Sequence, residues 1–211
     1  MKIIEQSHEI LFLSDEPLAK IELAGRTCYK SEDKITQDSA EKFVKMLKNR
    51  NHHAMLEFGW MMVRFITNRG VTHELVRHRL CSFAQESTRY VDYQEEMEFI
   101  KPVWCNLKLD ETQNYLFDEW CFIQACSEAE GRYKELRDVG WRPEQAREVL
   151  PNSLKTEIVV GANLREWMHI FNLRCSPKAH PQMKALMIPL RDEVRKIIPI
   201  LFDIEGEIKN V

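Results

Sequence analysis

The sequence predicts an α+β fold: a single compact domain over residues 1–211, with a mainly antiparallel sheet packed by helices. Three observations carry this. Helix-period apolar stripes outnumber strand-like runs, and the two kinds do not alternate as a βαβ chain requires. Breakers are also few, 7 Gly and 8 Pro in 211 residues. The uninterrupted stretches that result predict a long central helix and a helical C-terminus.

The elements follow in order. Ser14-Asp15-Glu16-Pro17 starts a helix, because proline is pre-organised for a first turn, and LAKIELAGRTCYK continues it with apolar spacings of three and four. A second helix is expected from about Asp38 to Lys48, on the stripe Phe43, Val44 and Leu47. Met55 to Ile66, rich in Met, Phe, Trp and Val, predicts a strand. Asn68-Arg69-Gly70 punctuates it, and Thr72 is a candidate cap for a short helix carrying His73 to Arg79. Tyr90 to Tyr93 predicts another strand, and Asp110 to Asp138 a long helix. Pro143 opens a short helix through Arg147, followed by a strand at Lys155–Val160 and a helix at Leu164–Leu173. Pro181 to Phe202 is helical with an expected kink at Pro189, where a backbone hydrogen bond is lost.

Composition excludes several classes. With 44% hydrophobic and 30% charged residues, the chain is neither collagen-like nor disordered. A net charge of −3 gives no global attraction to nucleic acid. No run reaches the roughly 18 apolar residues of a membrane span. MKIIEQSHEI carries charges where a secretory signal needs an apolar core. The expectation is a cytoplasmic protein that binds neither membrane nor nucleic acid. The cysteines, at 28, 81, 105, 121, 126 and 175, form no CxxC, so neither a disulfide frame nor a zinc site is expected.

Polar chemistry is concentrated in two places. RHRLCSFAQESTRY, residues 77–90, holds three arginines, a histidine, two serines and a threonine. Guanidinium forks, hydroxyls and loop N–H groups make an anion cradle. Arg77 to Arg79 could instead complement the C-terminal end of a helix dipole, although Arg89 lies beyond any such helix. A DNA-reading helix would need more basic residues on one face than His73 to Arg79 supplies. The second place is NLREWMHIFNLR, residues 163–174. Arg165, His169 and Asn172 share a helix face, whereas Arg174, nine residues after Arg165, falls about half a turn away at about 100° per residue. A solvated face paired with Glu166 would explain the charges, but Met168, Ile170, Phe171 and Leu173 make the helix largely apolar. Adjacent His52 and His53 point apart in regular structure, and His73 and His78 are five apart, which suits neither pair to a helical metal site. No GxGxxG, Walker A or GxSxG pattern occurs.

The first run resembles the RHRxxSxNxxSxR signature of flavin-dependent thymidylate synthases. Arg77, His78, Arg79, Ser82, Ser87 and Arg89 fall on its fixed positions, and Ala84 stands where the pattern has Asn. AREVLPNSLKTEI and ANLREWMHIFNLRC resemble two downstream blocks of the same family, in the same order. The resemblance implies methylation of dUMP to dTMP, with 5,10-methylenetetrahydrofolate as carbon donor, FAD as hydride carrier and NADPH as reductant. It also implies a homotetramer with sites at subunit interfaces.

Carried over position by position, the resemblance implies FAD contacts for His53, Arg77, His78, Arg79, Gln85, Asn163, Leu164, Arg165 and His169. It implies a dUMP pocket from Glu74, Leu75, Val76 and Arg77, from Gln85, Glu86, Ser87, Thr88 and Arg89, and from Arg147 and Arg174. Members often have Asn where His169 stands, and can have Gln and Glu where Glu74 and Gln85 stand. No cysteine falls on a catalytic position of the family. The implied mechanism therefore has Arg174 stabilise negative charge on the uracil, Arg89 and Arg147 hold the phosphate, and Ser87 position without attacking. A nucleotide- or RNA-binding module that keeps the arginines without redox chemistry is the alternative.

Overall fold

A computed structural model describes residues 1–107 and 115–203. Two strands that the sequence pattern leaves unassigned open the chain. β1 (Lys2–Ile4) pairs in parallel with β5 (Glu98–Ile100), Ile3 opposite Phe99. β2 (Ser7–Leu13) is one edge of a four-stranded sheet in the order β2-β3-β6-β4. There β3 is Trp60–Asn68, β4 is Ser82–Gln85 and β6 is Lys155–Asn163.

The expected antiparallel sense holds in that sheet. Leu164 N donates to Gly59 O (2.9 Å) at one end of the β3–β6 pair, and Arg69 N to Asn152 O (3.0 Å) at the other. β2 meets β3 in the same sense, with Ser14 N on Trp60 O (2.9 Å) and Thr67 Oγ1 on Gln6 Oε1 (3.1 Å).

The chain divides into two units, each assembled from separate stretches. The first takes Met1–His8, Arg64–His78 and Phe83–Val159; the second takes Glu9–Val63, Arg79–Ser82 and the chain from Val160 on. The first unit's core is Met97, Phe99, Cys126, Tyr133, Ala146 and Leu154. Cys126 and Tyr133 come from one face of the long helix α4 (Phe117–Asp138). That helix begins at Phe117 because the Glu119 carboxylate takes the Leu116 N–H (3.0 Å), an N-terminal cap. The expected stretch 110–114 lies outside the described residues.

The second unit holds α1 (Pro17–Cys28), α2 (Ser39–Asn49), α6 (Leu164–Arg174), α7 (Pro181–Ile197) and α8 (Pro199–Phe202). Trp167 is its fully buried anchor, with the indole N–H on Met61 O at 3.1 Å and the ring 5.6 Å from Phe171. α1 and α2 touch at Gly25, where an added Cβ would lie 2.5 Å from the Phe43 ring. Helix α7 runs on through Pro189. Met183, Leu186, Met187, Leu190 and Val194 bury a continuous stripe on both sides of it, and that packing outweighs the roughly 3 kcal/mol a mid-helix proline costs. The break falls at Ile198 instead.

Other expectations shift locally. His53–Phe58 is a 3₁₀ turn, so the strand starts at Trp60 and not Met55; a short continuous apolar run does not distinguish the two by period. The cap of α3 (Arg69–Leu75) is Asn68, whose Oδ1 accepts from Val71 N at 2.8 Å, while Thr72 is buried inside the helix. Tyr90 to Tyr93 is no strand: the Ser87 carbonyl accepts from both Tyr90 N (3.1 Å) and Val91 N (3.0 Å), which curls the backbone into a turn. No helix among the described residues is long and apolar enough to cross a membrane.

Candidate active site

In the first unit, α3 stops at Leu75 and a tight turn carries the chain on, with Arg77 N on Glu74 O (3.3 Å) and His78 N on Leu75 O (3.0 Å). The basic triplet is therefore outside regular helix. Leu75 and His78 are buried, Glu74 is half-buried, and Val76, Arg77 and Arg79 are exposed.

β4 then delivers Gln85 and Glu86. Gln85 Nε2 donates to Thr72 Oγ1 (2.9 Å) and Thr156 Oγ1 (3.3 Å). Both amide hydrogens are thus engaged, and Gln85 offers a ligand only an acceptor oxygen, as a Glu would. Glu86 turns its carboxylate into the unit, where Oε1 accepts from the Tyr93 hydroxyl and Oε2 from Glu157 N (3.2 Å), with Lys155 Nζ at 3.6 Å. Burial works against the Lys155 charge, but Glu157, Glu86 and Glu98 together raise its pKa. The Tyr93 hydroxyl is raised as well, by burial first and by Glu86 second.

The turn that follows carries Ser87, Thr88 and Arg89. The Ser87 hydroxyl accepts from Arg89 N (3.3 Å), and the exposed Arg89 guanidinium lies 5.4 Å from the Tyr90 ring. Arg147 enters from a 3₁₀ turn, Arg147–Val149, that continues α5 (Pro143–Ala146). Its guanidinium donates to Thr88 Oγ1 at 3.3 Å across 59 residues of sequence. The fold thus brings Arg147 to the Ser87–Arg89 turn. Arg69, Tyr93, Lys155 and Thr156 support this turn and escaped the sequence reading, because their pairing with Gln85 and Glu86 follows no helix or strand period. Among the described residues, Arg69 Nε is the only buried side-chain nitrogen or oxygen without a hydrogen-bond partner.

In the second unit, Asn163 caps α6 by accepting from Glu166 N (2.9 Å), and Leu164 is buried. Arg165, His169 and Asn172 are exposed while Arg174 is half-buried, in keeping with the half-turn between Arg165 and Arg174. Burial raises the Glu166 carboxyl above the ordinary range, with His169 and Arg165 pulling the other way. A cavity of about 450 Å³ brings His53 and Arg165 together and is also lined by Gly25, Tyr29, His52 and Met55. Arg165 reaches Glu57 at 2.6 Å beside it.

The thiols near the motifs are poor nucleophiles. Burial, with Glu166 nearby, pushes Cys81 up to about 12, and burial pushes Cys175 up to about 11.

The family model for thymidylate synthase complementing protein matches residues 9–200, and the chain belongs to the flavin-dependent thymidylate synthase family. It is 34% identical to the flavin-dependent thymidylate synthase of Corynebacterium aurimucosum, over 90% of this chain and 80% of that one. To that of Geobacter sulfurreducens it is 32% identical, over 89% and 81%. The solved UMP/dUMP methylase PolB from Streptomyces cacaoi, bound with 5-Br dUMP, shares the fold with a TM-score of 0.77 at 23% identity, covering 96% of each chain.

Proposed function

We infer that this protein methylates C5 of dUMP, giving dTMP, with 5,10-methylenetetrahydrofolate as carbon donor and without a cysteine nucleophile. The carrying observation is the approach of Arg147 to Thr88, which adds a second cation to the turn bearing Ser87 and Arg89. A 5′-phosphate suits that pair of guanidinium groups. Ser87 positions, with its hydroxyl already accepting from the backbone. Arg174 stabilises the negative charge that develops on the pyrimidine as C5 attacks the methylene carbon. The C5 proton then leaves, the methylene–nitrogen bond breaks to release tetrahydrofolate, and the hydride that bound FAD would supply reduces the methylene to methyl.

The residues present fit a flavin. The cavity offers imidazoles from His52 and His53, the Arg165 guanidinium and an apolar wall of Leu47 and Met55, a donor set for a planar heterocycle with polar edges. By the resemblance, Arg77, His78, Arg79, Gln85, Asn163, Leu164 and His169 would be further FAD contacts. Bound FAD would supply the hydride, drawn from NADPH. Arg165 and the histidines orient it, and Arg174 is always protonated and moves no proton. The raised thiols of Cys81 and Cys175 support a route without thiolate attack. A homotetramer in the cytoplasm completes this reading, and the exposed Trp60 and Met62 of the second unit are suited to subunit contact.

An anaerobic assay tests it: purified protein with FAD, reduced by NADPH, then given dUMP and methylenetetrahydrofolate. Bleaching of bound flavin followed by dTMP is expected. A folded protein that binds no FAD, yet binds RNA with steep salt dependence, would instead be a nucleic-acid module.

A further inference from the structure

Glu86 sits at the point where β4 becomes the anion turn, and every polar atom it owns is engaged within the first unit. Its N–H donates to Glu157 O (2.9 Å), and its carbonyl accepts from Arg69 (2.9 Å). Its carboxylate accepts from Glu157 N (3.2 Å) and from the Tyr93 hydroxyl, seven residues further on. The side-chain bond from Tyr93 to Glu86 therefore closes a ring around Ser87–Asp92. The far end of that ring is fixed by α4. Arg137 holds Asp92 at 2.7 and 3.1 Å, the Tyr133 hydroxyl reaches Asp92 at 3.3 Å, and the Tyr133 ring meets Tyr93 edge-on at 6.0 Å.

We propose that Tyr93, acting through Glu86, is a positioning residue that holds the Ser87–Arg89 turn in the shape that receives a nucleotide 5′-phosphate. It touches no ligand itself, and the inference rests on the phosphate role given to this turn above. A turn fixed at both ends has its N–H groups and side chains ordered before the anion arrives, so binding carries less ordering cost. Glu86 belongs to the signature stretch; Tyr93 lies beyond it, and only the ring closure links it to the turn.

The test uses the full chain carrying Tyr93→Phe, which keeps the ring against Tyr133 and removes only the hydroxyl. Loss of one hydrogen bond to a charged group is expected to raise the Kd for dUMP about tenfold. It should leave the affinity for deoxyuridine, which lacks the phosphate, and the kcat at saturating dUMP within about twofold. Amide hydrogen exchange supplies a readout independent of ligand. The Tyr90 and Val91 amides, both bonded to the Ser87 carbonyl, should exchange faster in the variant while the α4 amides do not. Glu86→Gln keeps one acceptor oxygen for two donors, the Tyr93 hydroxyl and Glu157 N–H, and should recover only part of the dUMP affinity that Glu86→Ala loses.

A folded Tyr93→Phe protein with unchanged dUMP affinity and unchanged exchange overturns the proposal. So does equal weakening of dUMP and deoxyuridine, which would mean a general loosening. If the unaltered protein binds no dUMP, the functional reading fails. The exchange comparison then still decides whether Tyr93 orders the turn.

Discussion

Replacing Arg147 by alanine separates a ligand-binding role from a structural one. The side chain is 39% exposed, and its contacts within the protein are weak: Thr88 Oγ1 at 3.3 Å and Glu148 at 3.6 Å. An exposed ion pair contributes about 0–1 kcal/mol, and a single long neutral acceptor about as much. Stability should fall by no more than about 1–2 kcal/mol, a melting shift of a few degrees at this chain length. Bound phosphate changes the scale, because each charge-assisted hydrogen bond contributes about 1.5–3 kcal/mol. The Kd and KM for dUMP should therefore rise between about 10- and 150-fold. Calorimetric titration with dUMP, steady-state kinetics and a thermal melt on one preparation would read all three quantities. Arg147→Lys should recover part of the affinity, since a point charge replaces a fork. A variant with normal dUMP affinity and a large melting shift would refute the assignment and make Arg147 a brace for the turn.

Arg174→Ala should lower kcat by about 10²-fold or more, as loss of a preorganised oxyanion donor does, and a near-normal kcat in a folded variant would remove it from the chemistry. Cys81→Ser and Cys175→Ser should both retain dTMP formation. With thiols pushed up to about 12 and about 11, at most about one part in 10⁴ is thiolate at pH 7, so iodoacetamide mass labelling should find both nearly inert. The Arg137 hydrogen bond lowers the Asp92 pKa. Its contribution is complete above the ordinary Asp value of about 4 and lost as pH falls through the depressed folded value. Asp92→Asn should thus flatten the acid limb of a denaturation-versus-pH series and cost only about 1 kcal/mol or less at pH 7, since the pair is partly exposed. Gly25→Ala, which places a Cβ 2.5 Å from the Phe43 ring, should destabilise by about 1–3 kcal/mol and weaken FAD binding, measured by fluorescence titration.

How much of this was legible in the sequence depended on whether the signal was local. Helices α1, α2, α5, α6 and α7 were readable because a proline or an apolar stripe marks each one within its own turns. Strand β6 was readable from the alternation at Lys155–Val160. Strands β1 and β2 were not, since their partners β5 and β3 lie far along the chain and short strands have little pattern of their own. Tyr90–Tyr93 has strand-forming side chains, yet two N–H groups converging on the Ser87 carbonyl decide otherwise. The same division runs through the site. The arginine cluster and the Arg165–His169 face were visible as spacing. The engagement of Gln85 by Thr72 and Thr156 was invisible, because it joins residues 13 and 71 positions apart.

The interleaved make-up of the two units also bears on how the chain is born. Trp167 and Met61 meet across 106 residues of sequence, and the second unit needs both Glu9–Val63 and the chain from Val160 on. During synthesis α1 and α2 emerge early, while α8, which packs against α2, is still untranslated. For that interval α2 lacks its native cover from α8, and transiently exposed apolar surface of this kind invites chaperone binding or aggregation. A ribosome stalled before Leu164 should therefore display a nascent chain that proteases cut readily within α1 and α2. Release of the rest of the chain should make the same segments resistant.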